Sequence, residues 1–292
     1  MQNHNDHLNE ATGQTVFRPI VLNGLYPGLP RGLAADVLAV QQLGGRSYPV
    51  CTTHIAAGRG TVTDVLSVPS DTIAAHLEHL FATEMPSAAK VGIVSDAAAI
   101  RDTLTTLSDA LDGPLLLDVT LSGPSGEDIV APGGVDVLLD HLDRPDLVAV
   151  RRTDAELLAG MEIPSLDDAQ VAVQRLVQRG AACVLLRCGR IPTHHFDTEG
   201  KPPEYAVDLY YDGDDFALYE APHIEGVSAV HGASSGLLAM VLHAMNQDIP
   251  VEEALQSAKA RITEALKAAQ GVAGSEQIQT FFNALHHKET AA

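Results

Sequence analysis

The chain has 292 residues, of which 46% are hydrophobic, 19% charged and 4% aromatic, with no Trp. That length can bury one large core, in which Ala, Leu and Val must do most of the packing. Asp and Glu total 38 against 18 Lys plus Arg, a formal net charge of −20, and such a surface repels DNA, RNA and anionic membranes, all of which need basic patches. The acidity fits either an ordinary solvated surface or a protein from a salt-rich, halophilic interior, where salt screens the repulsion between carboxylates. Cys51, Cys183 and Cys188 do not make a disulfide framework, and no apolar stretch reaches membrane-spanning length. Residues 1–15 are polar, without a signal-peptide core. They are expected to form a disordered tail ahead of a single domain over 16–292, in a cytoplasmic protein.

Taken in chain order, apolar runs alternate with helical patterns. Phe17–Leu22 reads as a short strand, Leu33–Leu43 as a helix, Ser47–Thr52 as a strand and Val62–Val68 as a half-exposed strand. Ser70, an N-cap type, opens a helix through Phe81; Ala89–Val94 is a strand, and Asp96 caps a helix to Leu111. Pro114–Val119 is a buried-type strand, followed by helix Val135–Leu142, strand Leu147–Val150, helix Asp167–Gln178 and strand Ala182–Arg187. Val207–Tyr211 and Phe216–Tyr219 flank Asp212-Gly213 as a hairpin. Helices over His231–Met245, Val251–Ala269 and Glu276–Leu285 close the chain, and Arg190–Pro203 is the expected mobile loop. Strands separated by helices predict a three-layer α/β/α domain with a mostly parallel sheet. Ligands in such folds sit at the carboxyl ends of the strands.

Several segments there form a recognisable succession. They run from Asn23-Gly24 through Gly32-Leu33-Ala34-Ala35-Asp36 to spaced Val62, Val65 and Val68, then Lys90-Val91-Gly92-Ile93 and Leu117-Asp118. Ser125-Gly126, Leu147-Val148 with Ala155-Glu156, Val184-Leu185-Leu186-Arg187 and His231-Gly232 follow. This succession resembles the hydroxymethylpyrimidine and phosphomethylpyrimidine kinases of the ribokinase-like superfamily, with pyridoxal kinases as relatives, from about Ile20 onward. The resemblance implies the ribokinase-like fold, a role in thiamine biosynthesis, and ATP-dependent phosphorylation of a hydroxymethyl group on a small heterocycle. It also implies Mg2+ alongside ATP, and a homodimer that binds a small molecule.

Phosphoryl transfer needs an anion cradle, a base near the acceptor hydroxyl and neutralised phosphate charge. By resemblance the cradle is His231, Gly232, Ala233, Ser234 and Gly236, with Ser235 at the position of the family's reactive Cys. Asp118, Arg151, Asp154 and Arg187 fall at the nucleotide and metal segment, where Arg151 replaces an Asn and Asp154 a Glu. Arg151 could contact phosphate or pair with Asp154. Gly24, Tyr26, Arg31, Asp36, Ala57, Lys90 and Ile93 fall in the substrate pocket. Ala57 stands where the family reads the pyrimidine with Gln, and Arg31 would suit an anionic group or block the pocket. No residue set defines a metal site outright. The altered positions leave open a catalytically silent relative that binds a small molecule, nucleotide or protein. A remote third reading takes Gly232 to Gly236 as the G-x-S-x-G elbow of a serine hydrolase, with Asp248 and His286 or His287 as partners. The paired histidines His194-His195 and His286-His287 read as loop or surface residues.

Overall fold

A computed structural model describes residues 16–28, 30–58, 60–192, 204–227 and 232–286. The expected tail at 1–15, His194, His195, His231, His287 and all but the first residues of the 190–203 loop lie outside the described residues. The elements follow the apolar runs. Strand β1 (Pro19–Leu25) leads to α1 (Leu33–Gln42), then to β2 (Tyr48–Gly58) and β3 (Thr61–Ser67). Helix α2 (Ser70–Thr83), β4 (Ala88–Val91), α3 (Ala97–Ala110), β5 (Leu115–Val119), α4 (Gly134–Leu139) and β6 (Leu147–Arg151) follow. Next come α5 (Arg152–Ala159), α6 (Leu166–Gln178), β7 (Val184–Gly189), β8 (Tyr205–Tyr211) and β9 (Phe216–Pro222), and the chain closes with α7 (Ala233–Met245), α8 (Val251–Ala269) and α9 (Ser275–Leu285). No helix among the described residues is long and apolar enough to cross a membrane.

Local chemistry explains where these bounds differ from the sequence reading. Asp96 caps α3 by accepting from the Ala99 N–H. Ser70 does not cap α2: it is the first helical residue, and its hydroxyl donates to Asp102 Oδ2 at 2.6 Å. Strand β4 ends at Val91 rather than Val94, because the side-chain oxygen of Asn23 accepts from the Ile93 N–H at 3.0 Å. The Asn23 amide occupies the space a side chain on Gly92 would need: a Cβ there would lie 2.3 Å from its Nδ2. Helix α5 was not expected from the sequence. It is eight residues long, follows β6 directly without a side-chain cap, and stops at Gly160 in a left-handed turn.

Among the described residues the strands form one nine-stranded sheet in the order β3-β2-β1-β4-β5-β6-β7-β8-β9. Strands β2, β1, β4, β5, β6 and β7 are mutually parallel; β3 pairs antiparallel with β2 at one edge, and at the other β8 pairs antiparallel with β7 and β9 antiparallel with β8. Side chains alternate between faces. On one face Ile20, Leu22, Leu115, Leu117, Val148, Val150, Val184 and Leu186 pack beneath α2, α3 and α6. On the other, Val21, Ala88, Leu116, Ala149 and Leu185 pack beneath α1, α7, α8 and α9. Two residues further along each of these five strands, the same period carries Asn23, Lys90, Asp118, Arg151 and Arg187 onto that second face. The apolar layer thus ends in a row of polar groups at the carboxyl edge of the sheet.

Candidate active site

Buried ion pairs organise that row. The Lys90 ammonium, 1% exposed, donates to both oxygens of Asp36 at 2.8 and 2.9 Å and to Asp118 Oδ2 at 3.0 Å. Asn23 donates to Asp36 Oδ2 at 2.7 Å. The other oxygen of Asp118 accepts from Arg187 at 2.7 Å. Burial would push the Lys90 ammonium down, but Asp118 and Asp36 overcome it and hold its pKa above the ordinary lysine value. Burial likewise opposes the charge on Asp118, and Lys90 and Arg187 reverse the effect, holding that carboxyl below its usual range.

The next pair lies at the junction of β6 and α5. Arg151 donates from Nε and Nη2 to Asp154 Oδ2 at 2.7 and 2.6 Å, and from Nη2 to the Ser122 carbonyl at 2.8 Å. Asp154 is fully buried, and its second oxygen accepts from the Ser122 hydroxyl at 2.9 Å. Of the two roles open to Arg151, its contacts show the ion pair. Helix α7 begins at Gly232, whose φ of 107° suits only glycine, and the Gly236 N–H closes its first turn at 2.8 Å from the Gly232 carbonyl. Ser235 is buried, and the Ser234 hydroxyl oxygen is buried with no hydrogen-bond partner among the described residues.

A cleft of about 310 Å3 opens over this edge. Tyr26, Arg31, Ile93, Asp118, Arg151, Arg187, Gly232, Ser234 and Ser235 all line it, so residues from six separate segments converge there. Burial raises the Tyr26 hydroxyl pKa, opposed by Arg31 and Arg151, so both guanidiniums act at that wall. Burial also lowers the Arg31 guanidinium, opposed by Tyr26. Asp36 and Lys90 do not reach the cleft wall but lie beneath it. Gly24 packs on Ile55 and Ile93, where a Cβ would approach Ile55 to 2.8 Å. Ala57 joins Tyr26 and Val65 against Ile55, Val62, Ile93 and Ile129, an apolar flank beside the opening. Asn23, Thr120, Ser122 and Gly123 also line the cleft and were not anticipated. The polar run directly after β5 was the available signal.

A second cleft, of about 280 Å3, lies between the β8–β9 hairpin and helices α7 and α8. Its wall carries a pair absent from the sequence reading, Lys259 to Asp208 Oδ2 at 2.7 Å. Arg187 and Ser234 line both clefts. Among the described residues ahead of the G-x-S-x-G run, 224–227 contain a turn and no strand, and His286 Nδ1 lies 3.3 Å from the Gln42 carbonyl, against the hydrolase elbow.

A divalent ion does not fit these carboxylates. Every oxygen of Asp36, Asp118 and Asp154 already accepts from Lys90, Arg187, Arg151, Asn23 or Ser122, and an ion on any lone pair that is left would sit beside one of those three cations, which repels it. Three cations, Lys90, Arg151 and Arg187, pair with those three carboxylates, and Arg31 stands on the cleft wall.

The sheet and the helices that cover both its faces are those of the ribokinase-like α/β fold. Among solved structures, pyridoxal kinase from Bacillus subtilis in an ADP complex superposes with a TM-score of 0.74 at 22% identity, covering 87% of this chain and 93% of that one. A phosphomethylpyrimidine kinase from Clostridium difficile superposes with a TM-score of 0.69 at 21% identity, covering 86% and 99%. Residues 30–279 match the family described as phosphomethylpyrimidine kinase, and the chain belongs to that family. The hydroxymethylpyrimidine/phosphomethylpyrimidine kinase of Aquifex aeolicus is 27% identical over 256 residues, covering 86% of this chain and 94% of its own. Its counterpart in Rhizobium meliloti is 28% identical over 244 residues, covering 82% and 86%.

Proposed function

We propose that this chain transfers a phosphoryl group from ATP to a hydroxymethyl group on a small heterocycle. The observation that carries this reading is the meeting of two clefts at Arg187 and Ser234, at the start of α7. In this arrangement the nucleotide lies between the hairpin and α8, and the acceptor lies over the polar strand ends. The amides of the first turn of α7 face the transferring phosphate, where the helix terminus favours negative charge. Arg187, bonded directly to Asp118, which Lys90 holds from its other oxygen, adds a fixed positive charge at the same place. The names of the curated relatives support the reaction, and the solved pyridoxal kinase complexes with ADP and with AMP-PCP support a nucleotide donor.

Ser235 stands where a base is expected, and a serine hydroxyl carries no negative charge at neutral pH. A positioned base contributes about 10²–10⁴-fold, whereas the loose transition state draws mostly on positioning and electrostatics. The chain is therefore a slow kinase. The acceptor differs from the family's neutral pyrimidine, because Ala57 offers no amide and the rim carries Arg31. The test incubates the full chain with ATP and, separately, hydroxymethylpyrimidine, its phosphate and pyridoxal, with product read by mass. Slow product formation is expected, rising about 10²-fold or more in Ser235→Cys. No product from either protein with any acceptor would leave the second reading, a silent binder, for which the missing base is the supporting observation.

A further inference from the structure

We propose that the acceptor cleft holds phosphate or diphosphate directly on arginine side chains, with no divalent ion held by the protein's carboxylates. This rests on the reading of the cleft as the phosphate-transfer site. A divalent ion takes oxygen ligands at about 2.0–2.6 Å and needs lone pairs open to it. Asp154 Oδ2 already accepts two N–H groups from Arg151, and its Oδ1 accepts from Ser122. Asp118 spends one oxygen on Arg187 and the other on Lys90. Both oxygens of Asp118 and Asp154 Oδ1 each keep a lone pair, but a metal taking one would sit directly beside the Lys90 ammonium or the Arg187 and Arg151 guanidiniums, and their positive charges, buried with the carboxylates, repel it.

The guanidiniums, by contrast, keep donors in hand. Each presents five N–H groups in a fixed fork that matches phosphate oxygens. Arg151 uses Nε and Nη2, leaving Nη1 without a protein acceptor among the described residues. Arg187 uses Nη2 on Asp118, and its Nε is buried without a partner among the described residues. The buried Ser234 hydroxyl, without a hydrogen-bond partner among the described residues, lies at the same place at the start of α7. Unspent donors on two arginines, a serine and a helix N-terminus thus line one cleft. The ligand they fit is a phosphate group free of metal, whether the tail of a nucleotide or a phosphorylated acceptor.

The test is calorimetric titration of the full chain with inorganic pyrophosphate and, separately, inorganic phosphate, each in EDTA and in excess Mg2+. Binding in EDTA at least as tight as in Mg2+ is expected; binding that requires Mg2+, or no binding of either anion, overturns the proposal. The double variant Arg151→Gln/Asp154→Asn removes the pair without stranding a charge. It is expected to bind pyrophosphate in EDTA about tenfold or more weakly, the loss of charge-assisted hydrogen bonds; unchanged affinity overturns the proposal. Should the double variant fail to fold by thermal melting, Arg151→Lys, which keeps a cation beside Asp154, is read by the same criterion. Phosphorylation plays no part in these readouts. Metal-free binding without turnover sinks the kinase reading alone, and turnover with binding that requires Mg2+ sinks this one alone.

Discussion

Lys90 shows what a single residue does in this fold. It is among the largest fully buried side chains, and its ammonium ties helix α1 to strands β4 and β5 through Asp36 and Asp118. The family resemblance places Lys90 in the substrate pocket, but its partnership with Asp36 spans 54 positions and leaves no local pattern. Breaking a buried pair by removing one partner costs about 3–5 kcal/mol, so Lys90→Met is expected to lose that much in urea unfolding at pH 7. The pH dependence has a definite sign. The folded-state pKa of Asp118 is depressed, so its contribution is present above the unfolded carboxylate value of about 3.9 and is lost as pH falls through the lower folded value. Lys90 has a raised folded pKa, so its contribution is complete below the ordinary lysine value and fades only as pH rises past the folded one. The gap between wild type and Lys90→Met should therefore narrow on acidification towards pH 4, because Asp118 without Lys90 loses the largest charge that keeps it ionised. A gap that stays constant from pH 7 to pH 4 would contradict the ion-pair account.

At the scale of elements, the start of α7 depends on α9. A Cβ on Gly232 would lie 2.5 Å from Cζ of Phe282, and the residue's φ of 107° is itself costly for any other amino acid. Gly232→Ala is expected to destabilise by about 2–4 kcal/mol, combining backbone strain with overpacking. Equilibrium unfolding measures this, and a loss under about 0.5 kcal/mol would mean that α9 yields easily. Helix α7 itself was legible from its glycine start and apolar run, whereas the contact with Phe282 was not, because 50 residues of chain separate the two. Helix α5 escaped notice for a different reason: eight residues carry barely two turns of periodicity, and the preceding strand supplies no capping side chain. The end of β4 was misread because an apolar run continues to Val94, while Asn23 from the neighbouring strand takes over the Ile93 amide.

For the whole molecule, the layered fold was legible because period-2 and period-3.6 patterns alternate along most of the chain, and each helix between parallel strands must cover a face. The convergence of six segments on one cleft was legible only in part. Strand-end residues such as Asp118 and Arg187 announce themselves by position, but which of them reach the opening and which lie beneath it depends on helix packing. Net charge belongs to this scale as well. With a formal charge of −20, unlike charges are outnumbered at the surface, and self-repulsion disfavours the compact state. The screening length shrinks from about 10 Å at 0.1 M salt to about 3 Å at 1 M. The thermal midpoint is therefore expected to rise between 0.1 M and 1 M NaCl, and a flat or falling midpoint would show that the acidic surface carries no repulsive load.

The row of five polar residues at the sheet's carboxyl edge has one more consequence. Each strand contributes one side chain, just past the last apolar position of that face, so the core's register does not depend on which group stands there. Such an edge behaves as a keyboard laid along the sheet, on which one key can be exchanged while the others hold their pitch. An arginine can enter at position 151, and a serine at 235 on the facing helix, without disturbing the nine-stranded frame. Ancestry is written in the frame, and chemistry in the keys.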